Sequence, residues 1–320
     1  MNINNNYQNI LKSNDDLNQR IKNTDNILSS LLVELNEKLK NENSSLSVFS
    51  AGSIGRHEIG KFSDIDPFIL ADFEISQTDE ERIKTIINKT VKEKNFPDIT
   101  EDFFKIYYMD DLLKLTGRSE DDHENTFTTR ILMLLESLPI YNKNTYITYR
   151  KKIVKNYFRD STGRPSEFKP VFLLNDFLRY WRTVCLNYEK LRNEPDMPWR
   201  KKNINLKFAR RFTIFSTILP MISKPIRSVD EFIDICDKTP MERLSYGLDI
   251  INDPLLEDRY KIVINNYVTF LKLKEEPNIE ESLDIVNPKI KEMDEYNKKF
   301  LFDVLMHKNI EETYKHYLVL

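Results

Sequence analysis

Apolar residues recur at helical spacing between Asn14 and Leu39, at Leu17, Ile21, Ile27, Leu31, Leu35 and Leu39, so one or two amphipathic helices are expected there. A polar turn, Asn41 to Ser45, then changes the period. Leu46 to Ser50 reads as a short strand, followed by a glycine-bearing loop. Asp64 to Leu70 reads as a second strand, with its bulk supplied by Ile65, Phe68, Ile69 and Leu70. The pattern predicts an amphipathic helix over Thr78 to Lys94, with Thr78 as N-cap and Glu81 completing a capping box. Asp102 to Tyr108 alternates as a third strand would, and Asn125 to Leu138 reads as a helix stopped near Pro139.

From about Tyr149 the alternation disappears and long helical segments take over. They run over Val171 to Leu191, Asn205 to Ile222, Val229 to Cys236, Pro254 to Lys274 and Ile279 to Met306, the last expected to break at Pro288. The chain therefore reads as an α+β protein. A first domain over residues 1–148, with a helical segment over 1–45, carries a mixed sheet, and an all-helical domain follows over 149–320. No internal repeat or low-complexity linker interrupts it.

Composition narrows the function classes. A chain of 320 residues has room for two modest domains, and 31% charged with 40% hydrophobic residues suits a soluble globular protein. Apolar runs such as Val171 to Leu174 fall far short of the roughly 20 residues a membrane span needs. The Asn-rich start lacks a signal-peptide core and an Arg-rich transit character, so a cytoplasmic protein without a membrane partner is expected. Cys185 and Cys236 sit in apolar sequence and read as reduced, buried thiols. The four histidines are scattered with no HxxxH or His-Asp pair, which argues against a zinc protease or a metal-dependent phosphohydrolase. With a net charge of −3, nucleic-acid binding would require a local basic patch.

Glycine is scarce, yet three of the six glycines, Gly52, Gly55 and Gly60, fall within nine positions. Such a cluster marks a loop where the backbone turns sharply or approaches something closely. A strand enters the Gly52-Ser53 turn, and after ten residues a second strand opens with Asp64-Ile65-Asp66. Alternate side chains of a strand share a face, so the two carboxylates project together and Ile65 points away. Two such carboxylates suit Mg²⁺, which takes one or two of them together with phosphate oxygens and water. A Gly-Ser turn offers backbone N–H groups and a hydroxyl to a phosphate. Together these parts describe phosphoryl transfer.

This segment resembles the nucleotidyltransferase superfamily of the DNA polymerase β type, whose pattern is a hydrophobic residue, Gly, Gly or Ser, a spacer, then Asp-hydrophobic-Asp/Glu. The Gly55-Arg56 and Ser63-Asp64-Ile65-Asp66 version is similar to the bacterial branch that includes the PII-protein uridylyltransferase. Two later stretches, Glu120 to Ser137 and Phe172 to Thr183, look like nucleotidyltransferase-domain proteins of that branch. The specific motif spans about 20 residues, and a looser likeness reaches roughly residue 190. The resemblance implies that Gly52 and Ser53 contact nucleotide phosphates and that Asp64 and Asp66 bind metal. It implies a phosphate contact for Arg56 and a third carboxylate on a later strand, for which Asp102 is the choice and Glu101 and Asp98 are rivals. Pro67 departs from the hydrophobic residue of the pattern, and requires this strand to be at an edge or unpaired there.

Outside the motif, Asn175, Arg179 and Arg182 make one stripe along an otherwise apolar helix that is expected to be buried. They either pair with carboxylates such as Asp176 or face a cleft and hold nucleotide. Trp199 to Phe212 interleaves six basic residues (Arg200, Lys201, Lys202, Lys207, Arg210 and Arg211) with aromatics; it reads as a solvated, ion-paired face or as an acceptor site. Glu275 to Lys299 reads as solvated surface. The resemblance implies transfer of a nucleoside monophosphate from an NTP such as ATP to an acceptor hydroxyl, with Mg²⁺ or Mn²⁺. A protein, an RNA end or a small molecule is the acceptor. The alternatives are a cyclic-oligonucleotide synthase and a degenerate domain that binds nucleotide or RNA without catalysis.

Overall fold

The computed structural model describes residues 5–99, 104–114, 116–158, 169–192, 199–277 and 279–319, with side chains from residue 287 onward in the last segment. The protein is α+β, largely helical with one small mixed sheet. Its residues form two compact units, 19–159 and 1–18 together with 160–320.

Helices α1 (Asn6–Lys12) and α2 (Asp15–Lys38) precede strand β1 (Ser47–Ala51), and β2 (Asp66–Ala71) follows the glycine loop. Next come α3 (Gln77–Glu93), β3 (Ile106–Tyr108), the short helices α4 (Met109–Lys114) and α5 (Glu120–His123), then α6 (Thr126–Leu135), β4 (Ser137–Tyr141) and α7 (Lys143–Tyr157). The sheet order is β3-β2-β1-β4; β1 pairs antiparallel with β2 and β4, and β3 runs parallel to β2.

Strand alternation sorts the sheet residues between two helical layers. Val48 and its register partner Ile69 face the side where Leu31 and Leu35 of α2 and Ile83, Ile87 and Val91 of α3 are buried. Phe49 and its partner Phe68 face the other side, stacked at 4.8 Å between centroids and extended by Tyr107 and by Tyr146 of α7. Each such buried side chain contributes about 1.5–3 kcal/mol of transfer free energy, so both faces hold the sheet.

Several local expectations are corrected. The cap of α3 is Ser76, whose hydroxyl accepts from the Asp79 N–H, rather than Thr78. The strand containing Asp66 begins at that residue, so Asp64 precedes the sheet. The helix expected to reach Leu138 stops at Leu135, and Ser137–Tyr141 is strand β4. Pro139 is tolerated there because β4 is an edge strand, and the β1–β4 register shifts beside it, with Val48 opposite Tyr141 and Phe49 opposite Pro139. Pro67 sits opposite Ser50 on β1, while the β3 ladder starts only at Ile69, so the missing N–H meets no strand on that side.

The remaining elements are helical: α8 (Val171–Leu191), α9 (Trp199–Asn205), a π-helical segment Leu206–Arg210, α10 (Arg211–Ser223), α11 (Val229–Cys236) and α12 (Pro240–Ile251). A 3₁₀ turn Pro254–Leu256, α13 (Glu257–Leu273), α14 (Ile279–Leu305) and α15 (Glu312–His316) complete them. Helix α14 runs unbroken through the exposed Pro288 rather than breaking there. Helix α12 was not expected from periodicity, although Thr239 and Glu242 form a reciprocal capping box with Pro240 in the first turn. It packs so closely on α10 that a Cβ at Gly247 would lie 2.7 Å from the Leu219 side chain.

The first residues belong with these helices because Asp249 of α12 caps α1, accepting from the Tyr7 N–H at 2.9 Å. The change of sequence texture divides the chain at residues 148 and 149, whereas the compact units place α1 with the helices and α7 with the sheet. Cys236 is buried and Cys185 half-buried, and both are free thiols. No helix among the described residues is long and apolar enough to cross a membrane.

A buried ion pair braces the helices beside the sheet. Arg130 of α6 donates to both Asp121 carboxylate oxygens, at 2.7 and 2.5 Å, and to the Leu112 carbonyl of α4 at 3.0 Å. Burial alone would raise the Asp121 carboxyl, but hydrogen bonds from Arg130 and Thr126 reverse this and hold it below the usual range. A carboxyl depressed on folding adds stability above its unfolded pKa, and that increment is lost as pH falls through the folded value. Asp121→Ala should therefore cost about 3–5 kcal/mol at neutral pH, because it leaves the guanidinium buried without its carboxylate. Urea unfolding checks this, and the penalty should shrink as the pH is lowered below about 4.

Candidate functional site

At one end of the sheet three strand termini meet: Ala51, the last residue of β1, lies between Asp66 of β2 and Ser137 of β4. The chain then turns at Gly52, whose φ of +78° is open to glycine at little cost. Residues 52–57 form a single helical turn in which the Arg56 N–H donates to the Gly52 carbonyl at 3.1 Å. The turn is closed by bonds from His57 to Ile54 and from Glu58 to Ser53, with His57 left-handed at φ 56°. Such a turn leaves its first N–H groups, those of Ser53, Ile54 and Gly55, without partners inside the turn.

Three contacts hold this turn in place. A Cβ at Gly55 would collide with the carbonyl group of Glu136, so only glycine lets the turn sit against the start of β4. Arg56, 5% exposed, donates through Nε to Glu58 at 2.8 Å and through its second nitrogen to Glu136. Beyond the turn, the Ile59 N–H donates to the buried Thr24 hydroxyl of α2 at 3.2 Å. Arg56, for which a phosphate contact is expected, is thus tied to two carboxylates, which hold the turn from inside.

Asp66 is half-buried on the face of β2 that carries Phe68, and Ile65 is buried in the opposite core. A Cβ at Gly52 would stand 3.4 Å from Asp66 Oδ2, so the missing side chain of Gly52 leaves space directly beside that carboxylate. Ser53 is 8% exposed, and its hydroxyl is buried with no hydrogen-bond partner among the described residues. A buried hydroxyl of this kind costs free energy unless something else satisfies it. Asp64 is exposed just ahead of the strand, after a tight turn in which the Gly60 N–H donates to Ser63 Oγ at 2.9 Å.

The structure brings together Gly52, Ser53 and Asp66, with Asp64 two residues upstream. Asp102 and Glu101 lie outside the described residues; Asp98 is exposed and pairs with Lys92 at 2.5 Å, which lowers its carboxyl from the ordinary range. In the helical unit the stripe expected to be buried is outward: Asn175 and Arg182 are exposed, and Arg179 is partly exposed, 4.0 Å from Asp176. Among the described residues no group of three His, Cys, Asp or Glu side chains is placed to hold a metal by itself. The Glu58 and Glu136 partners of Arg56 were missed in the sequence, where the only available signal was the Arg-His-Glu that follows the glycines.

Comparison with protein-family models, curated proteins and solved structures returns no match, so the site stands on its geometry. Its two loop glycines should fail differently. Gly55→Ala drives a methyl group into backbone that cannot give, and should destabilise the fold by at least about 2 kcal/mol in urea unfolding. Gly52→Ala incurs the smaller left-handed cost of about 1–2 kcal/mol and should leave a folded chain with the space beside Asp66 filled.

Proposed function

We propose that the chain is a metal-dependent nucleotidyltransferase, with a DNA polymerase β-type site on the sheet of its first domain and a helical domain after it. The observation that carries this reading is the cradle at the sheet end. Asp66 borders a space that only a glycine at position 52 leaves open, and the unpartnered Ser53 hydroxyl lies next in the chain. The oxygen donors and their partial exposure suit a hard cation that completes its shell with phosphate oxygens and water. Asp64 and Asp66 would hold Mg²⁺ or Mn²⁺, which supplies neutralisation of charge on the phosphate oxygens.

The turn at Gly52 and Ser53 binds the triphosphate through its early N–H groups and the hydroxyl. An acceptor hydroxyl oxygen attacks the α-phosphorus, the bond to the bridging oxygen breaks, and pyrophosphate leaves. Orientation of these groups supplies much of the rate, which is why the struts at Gly55 and Arg56 matter to the chemistry. The acceptor belongs to a protein, an RNA end or a small molecule.

Each α-labelled NTP should be incubated with Mg²⁺, the purified chain and a cell lysate, beside Asp64→Ala/Asp66→Ala. Label reaching a lysate acceptor only with the unaltered chain is the expected result. Label in a new nucleotide without lysate would favour a cyclic-oligonucleotide synthase. No metal-dependent transfer of any NTP by the folded chain would overturn the reading in favour of a non-catalytic binding protein.

A further inference from the structure

The basic stretch Trp199 to Phe212 resolves into α9, the π-helical segment and the start of α10. A π turn is rare, occurs mostly as a single-turn bulge inside an α-helix, and is frequent at functional sites. Here Lys207 of that segment and Arg211 just after it both pair with Asp294 of α14, Lys207 at 3.3 Å. Asp294 is 5% exposed, so one buried carboxylate anchors the basic face against α14.

Beside this anchor a pocket of about 200 Å³ opens. Trp199, Arg200, Asn203 and Lys207 line one side, and Asn287 and Ile290 of α14 line the other. Ile204 also lines it, so among the described residues the lining combines an indole, two aliphatic side chains, two amides and two cations, of which Lys207 also pairs with Asp294. Aromatic rings take the face of a base, amides pair with its edge, and Arg and Lys take phosphate. The volume is below the roughly 300 Å³ at which drug-sized pockets begin, which suits the base of one nucleotide inserted from solvent with its phosphate at the rim.

We propose that this pocket binds a nucleoside-phosphate unit, with the base against Trp199 and the phosphate held by Arg200 and Lys207. The unit comes either from a free nucleotide or from a residue of single-stranded RNA, since both present the same chemistry. The inference does not rest on nucleotidyl transfer, because it concerns the helical unit alone.

The chain has two tryptophans, so Trp181→Phe leaves Trp199 as the only indole reporter. In that background AMP and a short single-stranded RNA are titrated while Trp199 fluorescence is followed. Saturable quenching is expected, weakened roughly tenfold by Arg200→Glu and by Lys207→Gln, as for loss of a charge-assisted hydrogen bond. Arg200 is exposed, and the unfolding midpoint of Arg200→Glu, measured alongside, separates a loss of binding from a loss of fold. Saturation by AMP identifies the free nucleotide as the source, and much tighter binding of RNA identifies the strand. Absence of quenching by both probes, or quenching undiminished in Arg200→Glu, overturns the proposal. Asp64→Asn/Asp66→Asn should bind both probes unchanged, which separates this result from any failure of transfer.

Discussion

Gly55 lies so close to the Glu136 carbonyl that no Cβ fits between them, and the geometry of the sheet end depends on this contact. Glycine there lets the turn after β1 lie flat against the entrance to β4. The Arg56 guanidinium then reaches the Glu136 carboxylate on the same short segment and Glu58 on its own. Buried ion pairs add little net stability once desolvation is counted, because removing charges from water offsets most of their attraction. Their contribution here is to specify one position for the turn among the many a glycine-rich loop would sample.

That specification passes outward in steps. With the turn fixed, Gly52 is held in a left-handed conformation opposite Asp66, and the hydroxyl of the next residue, Ser53, is kept buried. Thr24 on α2 holds the outgoing chain, so the helix that supplies part of the core also positions the approach to Asp64. The helical unit is built on different terms. A capping box starts α12, a glycine lets it close on α10, and a single carboxylate, Asp294, gathers two cations from the π turn and its neighbour.

Much of this was legible in the sequence, and the failures have physical causes. The helical period of α2 and α3 and the ends of α8 and α11 followed from apolar spacing, since each buries one stripe. Gly52, Ser53 and Asp66 were legible because glycine is rare in this chain and its clustering is informative. Strand β4 was not: only Glu136 separates the apolar helix from Ser137 to Tyr141, and Pro139 reads as a helix stop unless the edge position is known. The pairing of Arg56 with Glu136 was not legible, because the two are 80 residues apart, a separation no local pattern reveals. The outward face of α8 was misjudged because its flanking apolar residues suggested burial all round, whereas Phe172 and Leu186 are themselves exposed. The start of α12 is marked by the capping box in Thr239-Pro240-Met241-Glu242 rather than by apolar periodicity.

The central claim is that Asp64, Asp66 and the Gly52-Ser53 turn form one cradle for a metal and a nucleotide together. Titration of Mn²⁺ followed by electron paramagnetic resonance, with and without a non-hydrolysable NTP analogue, tests it most directly. A cradle that supplies only two carboxylates should bind Mn²⁺ weakly alone and much more tightly with the analogue, and Asp66→Asn should abolish the difference. Mn²⁺ binding that ignores the analogue, or that survives Asp66→Asn unchanged, would contradict the account.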